Sequence, residues 1–417
     1  MTGMKHKEPY GDKPRFFYGY IVVTVALLIV LVGFGANSTF GIFFTPLLNE
    51  FSWTRAITAG AFSLSWIMHG LFSIVMGRLN DRFGSRLVMT ACGALLAAGF
   101  LLMSQISTAW QLYLFYGVMI GISMGGFYIP MVSTVARWFV KRRGMMTGIV
   151  VSGVSIGTLI APPVANWLIS TYDWRLSYII IGITVSFVVL STAQLLKRDP
   201  VQVGQLPDGA HTRATTSLEP VFQGFFLKEA VFTKQFWLVF GICFCAGFCA
   251  YVIVVHIAPH AIELGTTATT AANILATVGG VSTAGRLVMG SAADRIGSKQ
   301  ALIIGFLLMA GALLGLVLTR ETWALYLFAA VYGFAHGSCD VPLSPLVASL
   351  FGLRSHGLIF GVIGSGFAIG SAAGPLVAGY IFDVTNSYQA AFLVCAVIAT
   401  VGLILAAVLR PLPSPKS

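Results

Sequence analysis

Twelve stretches of this chain are apolar over about 20 residues or more, the length a helix needs to cross a hydrocarbon core of about 30 Å. They lie near 18–44, 54–76, 86–105, 109–136, 145–169, 175–196, 236–263, 268–292, 300–319, 322–350, 357–382 and 388–410. Strands of a membrane barrel would alternate apolar and polar residues over about ten positions, so these continuous runs predict an all-α membrane protein of twelve transmembrane helices. Only 9% of the 417 residues are charged, against about 25% in a soluble domain, and no polar segment is long enough to build one. Disorder and a disulfide scaffold are excluded by the same composition. The six cysteines all fall inside apolar runs, without metal spacing or histidine partners, and read as packing residues.

A net charge of +11 would suggest nucleic acid as a partner of a soluble chain, but here the positions of the charges matter more than their sum. Cations are retained on the cytoplasmic side during insertion. Of the 25 lysines and arginines, 21 fall on the side that twelve spans give to both termini, and only Arg55, Arg175 and Arg320 fall on the other. Both termini are therefore expected in the cytoplasm, and Arg286 is left inside a span. The N-terminal tail has no small-residue cleavage site before its first apolar run, which is too long for a signal peptide and reads as a retained span. The expected organisation is a tail at 1–17, a six-helix bundle at 18–196, a linker at 197–235 carrying Pro200, Pro207 and Pro220, a second six-helix bundle at 236–410, and a tail at 411–417. A short amphipathic helix is expected near Phe225 to Ala230.

One internal offset recurs along the chain. Gly77, Asp81, Arg82 and Gly84 map onto Gly290, Asp294, Arg295 and Gly297, a spacing of 213 residues. At the same spacing Trp110, Leu112 and Tyr113 map onto Trp323, Leu325 and Tyr326, and Gly144, Gly148, Gly153, Gly157 and Pro162 onto Gly357, Gly361, Gly366, Gly370 and Pro375. Agreement in three separate segments implies two parallel six-helix repeats with a solute site near the midplane between them.

The stretch Gly77-Arg78-Leu79-Asn80-Asp81-Arg82-Phe83-Gly84-Ser85-Arg86 and its weaker copy at 290–299 resemble the signature loops of the major facilitator superfamily. Arg137-Trp138-Phe139-Val140-Lys141-Arg142-Arg143-Gly144-Met145-Met146-Thr147-Gly148 resembles the fifth-helix signature of the monocarboxylate porter branch, which an arginine in the eighth helix also fits. The resemblance implies a bacterial inner-membrane homologue of the proton-coupled monocarboxylate transporters, of the lactate-carrying type. The animal members carry an aspartate one turn before that arginine, where this chain has Ser282, and a first-helix lysine where it has Ser38. The resemblance also implies conformational latches at Asp81, Arg82, Asp294, Arg295 and Arg143, where an aspartate meets the positive field of a helix N-terminus.

An arginine near a helix centre costs about 2.5–3.5 kcal/mol on insertion scales, so it usually faces a cavity and meets an anion. Arg286 is accordingly the expected anchor of a substrate carboxylate, which a guanidinium can hold by two parallel hydrogen bonds; the alternative is a structural pair with Asp340. Asp340 could carry a proton, partner Arg286, or bond backbone groups freed by Pro342 and Pro345. In the fold that the resemblance implies, helices one, four, seven and ten line the cavity, which makes His256, Tyr332, Tyr128, Asn37 and Ser38 further substrate-binding candidates. His256 and Asp340 are the proton-coupling candidates, with His336 behind them, and His69 reads as a packing residue.

One intramembrane arginine neutralises one carboxylate, and a dianion would leave a charge uncompensated, so a small monocarboxylate moving with a proton is the expected cargo. An oxalate- or formate-type anion exchanger and a non-transporting solute sensor of the same fold are the alternatives. The chain has no nucleophile elbow, phosphate-cradling glycine loop or metal-spaced cluster, so neither an enzyme nor a cofactor or metal is expected. The expected partners are the monocarboxylate, the proton and the bilayer; nucleic acid is not, and no obligate protein partner is evident.

Overall fold

The computed structural model describes residues 16–53, 55–209 and 224–410. The tail cations before Phe16, Arg213 in the linker, and Lys416 lie outside the described residues. Twelve long helical stretches follow in order: α1 (Gly19–Ser38, continued after a break at Thr39 by Phe40–Phe51), α2 (Arg55–Phe83), α3 (Ser85–Met103), α4 (Ala109–Trp138), α5 (Arg143–Thr171), α6 (Trp174–Ala193), α7 (Lys234–Glu263), α8 (Ala268–Ile296), α9 (Ser298–Leu318), α10 (Thr322–Asp340, continued by Leu343–Phe351), α11 (His356–Thr385) and α12 (Gln389–Val408). Among the described residues ten of these are long and apolar enough to cross a membrane by length and composition alone. The other two, α8 and α10, are those that carry Arg286, Asp294, His336 and Asp340. They hold their places because their polar residues face other helices rather than lipid.

The two conserved-spacing segments expected as loops are mostly helix. α2 runs through Asp81 to Phe83, and only Gly84, at φ +84°, turns the chain into α3. Its repeat Gly297, at φ +91°, turns α8 into α9. The apolar pattern stops about two turns before the end of α2 and about one before that of α8, because helical hydrogen bonding continues into the polar interface where hydrophobicity no longer reports it. At the linker's end Leu227–Ala230 forms a single helical turn, tied to the second half where Gly224 bridges Gly352.

The internal repeat is visible atom by atom. A Cβ on Gly153 would meet the Leu27 carbonyl at 2.9 Å, and on its repeat Gly366 the Phe240 carbonyl at 2.7 Å. Gly157 sits equally tightly on Leu31, and Gly370 on Phe244. Thus α1 packs on α5 as α7 packs on α11, through small residues that let backbones approach. One hydrophobic core is built from residues 22–196 and includes Phe43, Phe100, Tyr116, Trp138 and Tyr178. A second belongs mainly to α7–α12, with Ile129, Val132 and Val151 added from the first half. The six cysteines are buried and free.

The halves meet in crossed pairs, α5 on α8 and α2 on α11. Near the two glycine turns Gly144 abuts the Gly290 backbone, and its repeat Gly357 that of Gly77; further in, Gly148 abuts Arg286 and Gly361 abuts Ile74. Further along the α5–α8 pair, the Ser155 and Ser282 hydroxyls are 3.1 Å apart. Beyond them, Gly279 and Gly280 have nothing within 4 Å of where a Cβ would stand. The bundle is closed at the glycine-turn end.

Candidate functional site

The polar cluster at the junction of the halves is built from three helices. Arg286 of α8 is 5% exposed, and its Nη2 donates to Asp340 Oδ2 of α10 at 2.9 Å. Its Nη1 donates to the Ser155 hydroxyl of α5. One turn before Arg286, Ser282 Oγ donates to the Gly279 carbonyl at 2.7 Å, so its hydroxyl accepts from Ser155. The direction of the chain is thereby fixed: Arg286 to Ser155 to Ser282 to backbone, one proton per link. Arg286 Nε is buried with no acceptor among the described residues. His336 lies one turn before Asp340, with Nε2 at 3.9 Å from the carboxylate.

This arrangement holds one guanidinium against one carboxylate by a single charge-assisted bond and leaves its Nε donor unused. A bidentate carboxylate partner would fill that vacancy. Both readings of Arg286 therefore meet in the same atoms: it is paired with Asp340, and it retains a donor that the pair does not satisfy.

Beside the ion pair, buried and half-buried aromatic rings bring the halves together. Phe34 and Tyr128 are 6.4 Å apart, and Tyr128 and Phe360 6.5 Å. His69 stacks on Trp66 at 5.2 Å and 13°, Trp66 meets Tyr251 at 5.7 Å, and Tyr251 meets Phe367 at 6.3 Å. His69, expected only to pack, is thus part of this ring cluster. Trp66, Tyr251 and Ser155 were not singled out from sequence, because aromatic and serine residues are common in apolar helices and carry no mark of the face they occupy.

Four candidates sit elsewhere. Tyr332 is 1% exposed, and its hydroxyl donates to the Cys249 carbonyl at 2.7 Å, which binds α10 to α7 inside the second core. His256 Nε2 lies 3.1 Å from the Pro375 carbonyl and Nδ1 3.4 Å from the Tyr388 hydroxyl. A carbonyl only accepts, so Nε2 carries the proton and the ring links α7 to α11 and the start of α12. Asn37 Oδ1 and its backbone oxygen accept from Tyr116 at 3.2 and 3.1 Å. Ser38 donates to the Gly35 carbonyl of its own helix at 2.7 Å. All four lie on helices expected to line the cavity. In lipid, though, a polar side chain takes whichever partner lies within reach: a backbone carbonyl for Tyr332, His256 and Ser38, and the Tyr116 hydroxyl for Asn37.

The aspartates near the glycine turns cap helices of the opposite half. Asp81 accepts from Gly357 N at 3.2 Å and Leu358 N at 2.9 Å, at the start of α11. Asp294, its repeat, accepts from Gly144 N at 2.6 Å and Met145 N at 2.8 Å, at the start of α5. The cation on Asp81 is Arg137, at 3.2 Å and 3% exposed, which also reaches Asp199 at 3.5 Å and the Leu353 carbonyl at 2.9 Å. Arg82 lies instead over the Phe83 ring at 5.0 Å, and Arg143 Nε donates to the Ala136 and Phe139 carbonyls at 3.0 Å. Arg295 makes none of the hydrogen bonds or ion pairs of these caps. Arg137 opens the fifth-helix motif, and that position was its only signal in the sequence.

Twelve helices in two pseudo-symmetric halves, with a buried ion pair of the second half reaching Ser155 of the first and aspartate caps across the seam, define a secondary transporter rather than an enzyme. The sequence profile of the Major Facilitator Superfamily matches residues 25–318 and 244–417, and the chain belongs to that family as a multi-pass integral membrane protein. It is 25% identical over 405 residues to monocarboxylate transporter 13 of Bos taurus, covering 94% of this chain and 89% of that protein. It is 26% identical to human monocarboxylate transporter 11, covering 98% and 86%, and 25% identical to the uncharacterized MFS-type transporter YhjX of Escherichia coli, covering 83% and 84%. Among solved structures, the E. coli fucose:proton symporter FucP shares the fold, with a TM-score of 0.71 at 16% identity over 94% of this chain and 100% of that one.

Proposed function

We propose that this transporter moves a small monocarboxylate, of the L-lactate or pyruvate type, together with one proton by alternating access. The observation that carries the reading is the buried Arg286–Asp340 pair at the junction of the halves. With Asp340 ionised, Arg286 is already neutralised, and a second carboxylate would bring an uncompensated charge into a site of low dielectric. Protonation of Asp340 releases the guanidinium, and the substrate carboxylate takes its place, with the unused Nε as a second donor. Anion and proton then enter together, and the charge of the cluster is the same empty and loaded. His336, one turn from Asp340, offers the proton a way in.

Rocking of the 18–196 bundle against the 236–410 bundle exposes this cluster alternately to the two sides. The Asp81 and Asp294 caps hold the glycine-turn end shut in the conformation described. The excess of cations there supports a cytoplasmic assignment for that end and for both termini, and the similarity to an E. coli transporter supports a bacterial inner membrane. The relatives named monocarboxylate transporters support the class of cargo.

The deciding experiment is uptake of labelled L-lactate into proteoliposomes under an inward proton gradient, with and without a protonophore, in wild type and Arg286→Ala. Uptake that needs the gradient and is lost in the variant is the expected result. Lactate uptake with no matching proton entry would sink the symport reading.

A further inference from the structure

At the glycine-turn end, away from the Arg286 cluster, a cavity of about 450 Å³ opens on the surface of the bundle. Four cations line it: Lys141 and Arg143 from the first half, Lys299 and Arg410 from the second. The one lining carboxylate, Asp294, is engaged with the Gly144 and Met145 amides. Asp208, close by, is likewise engaged, accepting from the Val140 and Lys141 amides. Arg143 spends only Nε on backbone carbonyls, and its two terminal nitrogens donate to no acceptor among the described residues. Ser298, Lys299 and Gln300 also line the cavity. They form the first turn of α9, a helix of 21 residues whose N-cap Gly297 supplies no side-chain bond. Their amides add to the donors of a site already rich in fixed positive charge.

Cations retained only to orient the chain in the membrane would be scattered around the rim and solvated. Here four converge on one concavity from both halves, with one guanidinium left half-used. We propose that this cavity binds a phosphate group, carried either by an anionic phospholipid headgroup or by a free phosphate in solution. Because Lys141 and Arg143 belong to one half and Lys299 and Arg410 to the other, a bound phosphate also ties the halves together at the end that must open for solute release. Occupancy therefore slows the transport cycle.

The test uses the purified full-length protein in nanodiscs of phosphatidylcholine, with the melting temperature read against inorganic pyrophosphate at constant ionic strength set by sodium chloride. A saturable rise in Tm is expected for wild type. Losing one charge-assisted contact should weaken half-saturation about tenfold in Lys299→Gln and in Arg410→Gln, with recovery in Lys299→Arg. Neither residue touches the Arg286 cluster, so lactate binding should be unchanged in both variants, and a loss of lactate binding by wild type would count against the transport reading alone. Nanodiscs containing phosphatidylglycerol separate the sources. If the lipid is the occupant, they raise the Tm of wild type more than of Lys299→Gln and abolish the pyrophosphate effect; if a free phosphate is, that effect survives. No saturable effect in either lipid, or one unchanged in both glutamine variants, overturns the site. Unaltered flux in phosphatidylcholine proteoliposomes with pyrophosphate on the glycine-turn side overturns the tie between the halves.

Discussion

Asp340→Asn isolates the role of the carboxylate that faces Arg286. The two side chains are 6% and 14% exposed, and the bond between them is 2.9 Å long. A hydrogen bond between charged groups in such a place is worth about 1.5–3 kcal/mol. If Asp340 competes with the substrate for Arg286, removing its charge should tighten lactate binding at neutral pH by about 10- to 150-fold. The pH dependence changes with it. Wild-type affinity should fall as pH rises, by up to about tenfold per unit, because one proton is bound with the anion, whereas the asparagine variant should bind with no such slope. Labelled L-lactate binding to purified protein between about pH 6 and about pH 8, where lactate stays ionised, measures both quantities. In proteoliposomes the variant should still exchange lactate for lactate but should no longer accumulate it against a proton gradient. Asparagine can still accept from Arg286 but leaves its charge uncompensated, so the lactate-free variant should lose up to roughly 3–5 kcal/mol of stability and recover part of it when lactate binds. A variant that kept the wild-type pH slope, or bound lactate more weakly while folding normally, would refute competition and make Asp340 a support that positions the arginine.

Two further outcomes follow from contacts at the ends of the bundle. Asp81→Ala should lower the melting temperature more than Asp294→Ala. Each loses two helix caps, worth together about 0.5–2 kcal/mol, but only the first takes the 3.2 Å carboxylate from Arg137, which is 3% exposed and keeps Asp199 at 3.5 Å; equal losses would show that Asp199 alone neutralises the arginine. On the opposite side, the bond from Arg175 to Glu50 at 2.7 Å holds the Glu50 carboxyl below the ordinary carboxylate range, with Trp174 adding to it and burial opposing. A carboxyl depressed in the folded state contributes stability above its unfolded pKa, near 4.3, and loses it as pH falls through the lower folded value. Acidification should therefore erode the thermal stability of wild type more than that of Glu50→Gln, and parallel melting curves across that window would refute the link.

Much of the architecture was legible in one dimension. Spans are legible because in lipid the backbone must satisfy itself, which leaves long apolar helices as the form such a chain takes. The 213-residue repeat was equally plain, and it foretold packing as well as topology, since the Gly153 and Gly157 contacts of α5 on α1 have their copies at Gly366 and Gly370 between α11 and α7. Arg286 stood out because a lone cation in an apolar run is costly wherever it points.

Tertiary structure decided what each polar group meets. Tyr332, His336 and Asp340 are spaced by one turn on one face of α10, yet Tyr332 bonds the Cys249 carbonyl while Asp340 meets Arg286. His256 meets the Pro375 carbonyl, and His69 stacks on Trp66. Ser155, one serine among many, became one link across the halves, and Arg137 rather than Arg82 or Arg143 took Asp81. Sequence determined which residues are too polar to face lipid. Only the packing of helices from both halves determined where each of them turns instead, because the free energy of a polar group inside a membrane is set by the partner opposite it, and that partner lies tens or hundreds of residues away.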